Sequence, residues 1–242
     1  MKLFLNKNEF VNNLLGPVSK LSDNLLLDFV RENENNFKAK TLVTSSDNSI
    51  ILLGDVTCKA QEPFRCVIPD CKTFLRLFSG IEEDSITLSI ATNAIEYKES
   101  TFSFKYHLLD ESYIVNKKSI SEEKLNSISF DTSFSLTKQK LSEIIKFNSI
   151  VPDAEKLYFY TEGSKVFAKL GDQQKANTNE IVTEISSSFD GPNLSEPFPI
   201  NIQNILLFSF NEQNIKVSVN HELKVFKFET ANLKYIVSGL VK

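Results

Sequence analysis

The chain repeats itself, and the repeat constrains its fold more than any other feature. Pro69, Leu77, Phe78 and Ser79 of the segment 68–79 return as Pro199, Leu207, Phe208 and Ser209, an offset of 130. Each segment runs through acidic or amide residues into an alternating stretch, Ile86–Ile90 in the first copy and Ile215–Val219 in the second, 129 residues apart. A second pair lies upstream at offset 131: Leu5–Phe10 against Leu136–Leu141, with Leu14 matching Ile145. Leucine-rich segments often match by chance, but two collinear pairs at nearly one offset indicate a duplication.

Each half then reads as a short strand, a helix, several strands, a second helix and several strands, an α+β pattern of two similar domains. Asn6 and Thr137 are expected helix N-caps, because their side chains can accept the orphan amide protons of a first turn. Leu157–Tyr160 and Lys165–Leu170 flank Thr161-Glu162-Gly163-Ser164, which predicts a hairpin. Ser49–Gly54, Leu223–Glu229 and Tyr235–Val237 also read as strands. Their charged alternate positions imply antiparallel sheets with one buried face. The polar stretch with Lys117-Lys118 and Glu122-Glu123-Lys124 interrupts the repeat, which divides the chain into domains at 1–110 and 131–242 with a connector at 111–130.

A length of 242 residues suits two domains of this kind. The formal charge is −4, from 27 basic and 31 acidic residues, so a globally basic nucleic-acid coat is excluded and a locally basic face is not. The start of the chain has no apolar core with a small-residue cleavage site, and no stretch reaches the ~18 apolar residues of a membrane helix. Cys58, Cys66 and Cys71 are odd in number and irregular in spacing, which favours a reducing cytoplasm over a disulfide framework.

No constellation points to a reaction. His107 and His221 lack Cys, His or Asp neighbours at ligand spacing, the cysteines form no CxxC pair, and no phosphate-binding or nucleophile-elbow motif occurs. Glu82-Glu83-Asp84 reads as a solvated loop and Cys71 as part of an apolar helical stripe. The expectation is a chain with no catalytic residues, no metal and no cofactor, hence not an enzyme.

The helices are more informative. Cys71, Phe74, Leu75 and Phe78 make a buried stripe with Lys72, Thr73 and Arg76 opposite. On the third helix Leu141, Ile144, Ile145 and Asn148 share one side. Gln139, Ser142, Glu143 and Lys146 lie opposite, flanked by Lys138 and Lys140. The first helix buries Phe10, Val11, Leu14 and Leu15, with Lys7 at its start. The fourth exposes Gln203 and Asn204 and carries no charge. The windows 7–15, 69–79, 137–149 and 201–209 hold six basic and three acidic residues, a net of +3, which leaves −7 on the rest. Basic helices on an acidic body suggest a face aimed at a polyanion. Its candidates are Lys7, Lys72, Arg76, Lys138, Lys140 and Lys146. Ordinary solvated helix faces would show the same small excess.

With duplicated halves of two helices and many strands each, the chain resembles the DNA sliding clamps, and among them the T-even bacteriophage type, a relative of proliferating cell nuclear antigen. The residues that carry the resemblance are the start Met1-Lys2-Leu3 before a helix, Leu141-Ser142-Glu143-Ile144-Ile145 ahead of the hairpin with Glu162-Gly163, Ser188-Phe189-Asp190-Gly191, and Ala231–Val237. The resemblance implies a duplicated clamp fold, a closed homotrimer with its helices lining a hole, and sequence-independent contact with duplex DNA. It implies the replicative polymerase and a clamp-loader ATPase as partners, no membrane, and the cytoplasm of a bacterial host. A partner-peptide groove would lie around Tyr106, Leu108, Leu109, Tyr235 and Val237. Three other readings stay open: a non-encircling monomeric polymerase accessory subunit, a β-rich viral structural protein, and an enzyme with an unrecognised site.

Overall fold

A computed structural model describes residues 1–34, 36–113, 120–172 and 179–240. The chain divides into two compact units, Met1–Asn48 with Leu52–Ser121, and Ser49–Ile51 with Glu122–Lys242.

The first unit runs β1 (Lys2–Asn6), α1 (Lys7–Phe10), a π-helical turn (Val11–Leu15), α2 (Gly16–Ser19), β2 (Leu25–Arg31), β3 (Phe37–Thr44), β4 (Ile50–Ala60), β5 (Phe64–Ile68), α3 (Cys71–Ser79), β6 (Ser85–Ala91), β7 (Ala94–Lys98) and β8 (Ser103–His107). Its strands lie in the order β8-β7-β6-β1-β4-β3-β2-β5. The second runs α4 (Glu122–Asn126), β9 (Thr132–Thr137), α5 (Lys138–Ile150), β10 (Lys156–Glu162), β11 (Lys165–Leu170), β12 (Ile181–Ser186), β13 (Phe189–Asp190), β14 (Pro199–Asn201), α6 (Ile202–Leu206), β15 (Asn214–Asn220), β16 (Val225–Glu229) and β17 (Leu233–Ser238). Its strands form β13-β9-β15-β16-β17 and a second sheet, β12-β11-β10-β14. Apart from α4 and the two-residue β13, every element of the second unit has its counterpart in the first, in the same order; the pairing differs where β9 takes β13 as its neighbour while β1 takes β4, so the second unit's strands fall in two sheets. The duplication is therefore structural. α4 falls inside the stretch read as a connector, and Lys117 and Lys118 lie outside the described residues.

Local chemistry explains where the elements start. The Asn6 side chain accepts from the Glu9 amide at 2.9 Å, and Thr137 accepts from the Lys140 amide at 3.2 Å, as expected of N-caps. Asp70 caps α3 and Asn201 caps α6. The β10–β11 hairpin turns at Gly163, whose φ of +58° belongs to a region that residues with a Cβ seldom enter.

Two helix windows differ from expectation. Helical conformation in the first continues to Ser19, through a π turn in which Gly16 donates to the Val11 carbonyl; a Cβ on Gly16 would stand 3.0 Å from that oxygen. The fourth helix stops at Leu206, because Phe208 and Phe210 turn inward onto Tyr235, with ring centroids 4.4 and 5.1 Å away.

Each core is aromatic. In the first unit Phe78 lies between Phe10 (5.5 Å) and Phe74 (5.0 Å), and Phe74 packs on Tyr106 (4.8 Å). In the second, Phe159, Phe226 and Phe228 pack together, with Phe208 against Phe228 at 4.9 Å. Each side chain of this size contributes roughly 1.5–3 kcal/mol when fully buried. The helices therefore cover the inward faces of the sheets and turn their polar sides to solvent.

Candidate nucleic-acid interface

The polar helix faces present what the sequence places there, with two exceptions. On α3, Cys71, Phe74 and Phe78 are buried while Lys72, Thr73 and Arg76 are exposed. On α5, Leu141 and Ile144 are buried, Ile145 and Asn148 are half-buried, and Lys146 is exposed. Val11 is only half-buried, at the margin of the first helical stripe.

The first exception is Lys7. Its ammonium donates to the carbonyls of Ile81 (2.7 Å) and Glu82 (3.3 Å), and its amide donates to the Asp84 carbonyl at 2.6 Å. Asn8 adds a side-chain bond to Asp84. Lys7 thus straps the start of α1 to the loop after α3, and two of its three donors are used there. The second is Asn204, expected on a solvent face. It is 7% exposed, and its side-chain carbonyl accepts from the Ser49 hydroxyl at 3.3 Å.

The cations of the two helices differ in how far they are neutralised. Lys72 reaches Asp23 at 3.2 Å across an exposed gap. Lys140 reaches Glu143 at 2.8 Å, and this lysine holds the Glu143 carboxyl below the usual carboxylate range. Arg76, Lys138 and Lys146 take part in no ion pair among the described residues. Elsewhere many cations are compensated on the sheets: Arg65 by Asp28 (2.8 Å), Lys165 by Glu184 (2.6 Å), Lys169 by Glu180 (2.7 Å), and Lys227 and Lys234 by Glu229 (2.9 and 3.1 Å). Uncompensated positive charge on a solvated helix face attracts phosphate without reading sequence. At the N-terminus of α3, the Thr73 hydroxyl (2.6 Å) and amide (2.9 Å) hold the Asp70 carboxyl below its ordinary range.

The residues assigned to a peptide groove belong to different units. Tyr106, Leu108 and Leu109 belong to the first unit. Tyr106 is nearly buried and exchanges hydrogen bonds with the Asp70 main chain: the Asp70 amide donates to its hydroxyl at 3.0 Å, and the hydroxyl donates to the Asp70 carbonyl at 2.9 Å. Leu109 is 43% exposed and Leu108 half-buried. Tyr235 and Val237 belong to the second unit, and both are fully buried. Tyr235 is closed in by Phe208 and Phe210, and its hydroxyl accepts from the Ser209 amide at 3.2 Å. The groove assignment is corrected for these two, since a side chain with no exposed surface offers a peptide nothing to touch.

Among the described residues no group of three or more His, Cys, Asp or Glu is placed to hold a metal ion. All three cysteines are buried free thiols, and burial pushes Cys58 up to about 11 and Cys66 and Cys71 to about 12. No helix among these residues is long and apolar enough to cross a membrane.

No protein-family model and no curated protein matches the chain. Solved structures do. The PCNA of A. fulgidus, solved with the C-terminal region of FEN-1 bound, superposes with a TM-score of 0.75 at 11% identity over 100% of this chain and 98% of that one. The β chain of DNA polymerase III from Streptococcus pneumoniae gives 0.72 at 16% identity, and the Helicobacter pylori β clamp, solved with a DNA ligase peptide, gives 0.64 at 14%. This chain is covered completely in both, and spans 65% and 67% of those longer bacterial chains. The fold over the whole chain is that of the sliding clamps.

Proposed function

We propose that the chain is a DNA polymerase sliding clamp, a ring-shaped processivity factor that encircles duplex DNA and tethers the replicative polymerase. The observation that carries this reading is the uncompensated charge of Arg76, Lys138 and Lys146 on the solvent faces of α3 and α5, within a fold shared along its whole length with clamps. A few mobile lysines and arginines give attraction to phosphates without fixed register, which suits sliding. Direct base readout would need bidentate contacts held in a groove.

Assembly follows from the repeat. Within the second unit the last strand, β17, runs beside the segment Ser49–Ile51, and the Ser238 amide donates to the Ser49 carbonyl at 3.0 Å. In the duplication β12 corresponds to β4 and β8 to β17, and both β12 and β8 end their sheets. In the proposed ring, β8 of one copy adds to β12 of the next as β17 lies beside Ser49–Ile51. Three copies of a two-unit chain give a ring of six units. The proposed partners are the clamp loader and polymerase-associated peptides, with the exposed Leu109 as a contact point. The T-even phage type, with a bacterial cytoplasm as its setting, rests on the residue resemblance in Leu141–Ile145 and Ala231–Val237. The proposed role involves no catalysis and no cofactor.

The test is solution mass by light scattering across a dilution series, followed by retention on circular against linear DNA. A mass near three times 27.4 kDa, with retention only on circles, supports the ring. A monomer at all concentrations favours a non-encircling accessory subunit instead.

A further inference from the structure

The first unit carries a second cationic surface, on the side of its sheet away from the helices. Phe104 and Tyr106 of β8 turn inward onto Phe78 (6.2 Å) and Phe74 (4.8 Å) of α3, so their neighbours in sequence face outward. Across β4, β1, β6, β7 and β8 the outward side presents Lys59, Lys2, Phe4, Lys98, Lys105 and Glu96. Lys105 is paired with Glu96 at 2.9 Å, whereas Lys2, Lys59 and Lys98 are exposed and make no ion pair among the described residues. Phe4 stands between them, 45% exposed, with Lys59 directly across on β4 and Thr87 on β6. Strands lie ~4.8 Å apart, so Lys59 and Lys98 are separated by ~14 Å of sheet with the aromatic ring between them.

We propose that this face binds single-stranded nucleic acid, with Phe4 stacking on a base and Lys2, Lys59 and Lys98 meeting the flanking phosphates. An exposed aromatic ring among lysines on an open sheet is a platform that any base can use, because every base has a flat face. The hydroxyls of Thr87 and Ser89 supply polar contacts beside it. An acidic peptide fits less well. Its apolar anchors would have to pack beside Phe4, whose cross-strand partners are a lysine and a threonine.

The corresponding face of the second unit sharpens the contrast. There Ser135 stands where Phe4 stands, 131 residues on, and Glu229 compensates both Lys227 and Lys234. This inference does not depend on the ring: it concerns the face opposite the helices and holds for a monomer as well.

The experiment is fluorescence anisotropy of labelled dT and U oligomers on the full chain at low and rising salt, with a poly-glutamate peptide as comparator. Both oligomers are expected to bind. Phe4→Ala should weaken binding at least about five-fold. Lys59→Glu with Lys98→Glu should flatten the salt dependence by about 0.7 for each lysine lost. Lys216→Glu, on the corresponding face of the second unit, should retain binding. Thermal melts of the variants should match the parent, since the substituted side chains are exposed. The proposal is overturned if neither oligomer binds, if Phe4→Ala binds as the parent does, or if poly-glutamate binds as tightly.

Discussion

The ammonium of Lys140 lies 2.8 Å from the carboxylate of Glu143, one turn along the same helix, while Lys146 on the next turn makes no ion pair among the described residues. Two lysines of one helix therefore start from different states, one already engaged and one available.

Glu143→Gln should release Lys140 and strengthen binding to duplex DNA. A lysine newly able to meet a phosphate steepens the dependence of log K on log salt by about 0.9. The parent should show the same gain only in acid. The Glu143 carboxyl is held low by Lys140, so its charge persists until the pH falls through that lowered value, and only then is the lysine freed. A salt series by anisotropy on both proteins checks this, and identical slopes would remove Lys140 from the contact.

Arg76→Glu combined with Lys146→Glu should weaken clamp-dependent DNA synthesis and reduce the salt slope by about 1.8 or more, with no change in solution mass. Both side chains are exposed and make no ion pair among the described residues, so folding should not depend on them. Normal processivity in the double variant would sink the assigned face.

Val182 is 49% exposed on β12, which ends its sheet. In the proposed ring β12 lies at a junction between copies, so Val182→Asp should leave the fold intact and lower the mass expected of that ring toward 27.4 kDa, because a charge at such a junction is left without water or partner. An unchanged mass would place the junction elsewhere.

The thiols should be inert in the folded chain. With Cys58 raised to about 11 and Cys66 and Cys71 to about 12, almost no thiolate exists near neutral pH, and all three are buried. A maleimide should label none of them in native buffer and all of them in denaturant, as read by mass spectrometry.

The caps make a pair of stability tests. Thr137→Ala should cost about 1 kcal/mol, measured by denaturant unfolding. At Asp70 the effect is pH-dependent. Its carboxyl is lowered in the folded chain, so its contribution is present above the unfolded value and is lost as pH falls through the folded one. Asp70→Asn keeps a capping oxygen without the charge, so its melting temperature should fall less steeply in acid than the parent's.

What the sequence revealed was what neighbours in sequence decide. The caps at Asn6 and Thr137, the turn at Gly163 and the stripe of Cys71, Phe74 and Phe78 all depend on residues within a few positions, and all were readable. The repeat itself gave the order of elements in the second unit. What escaped was set by distant partners. Lys7 looks free until its ammonium is seen on Ile81, 74 residues away, and Asn204 looks solvated until Ser49 arrives from 155 residues upstream. Tyr235 and Val237 share a strand face, and alternation alone does not say which face the core takes. The cationic sheet face around Phe4 was equally hidden, because Lys2, Lys59 and Lys98 come from three separate strands and no local window contains them.

The placement of Ser49–Ile51 in the second unit has a consequence for biosynthesis. The chain leaves the ribosome from its N-terminus, and domains commonly fold in that order. Here Ser49–Ile51, made early, finds its neighbour in its own unit only when Leu233–Ser238 emerges. Until then Ser49–Ile51 waits without the strand it pairs with, exposed to chaperones or to a neighbouring nascent copy. The second unit is therefore assembled from segments made far apart in time, and a ribosome stalled before Leu233–Ser238 would leave Ser49–Ile51 without its hydrogen-bonded neighbour.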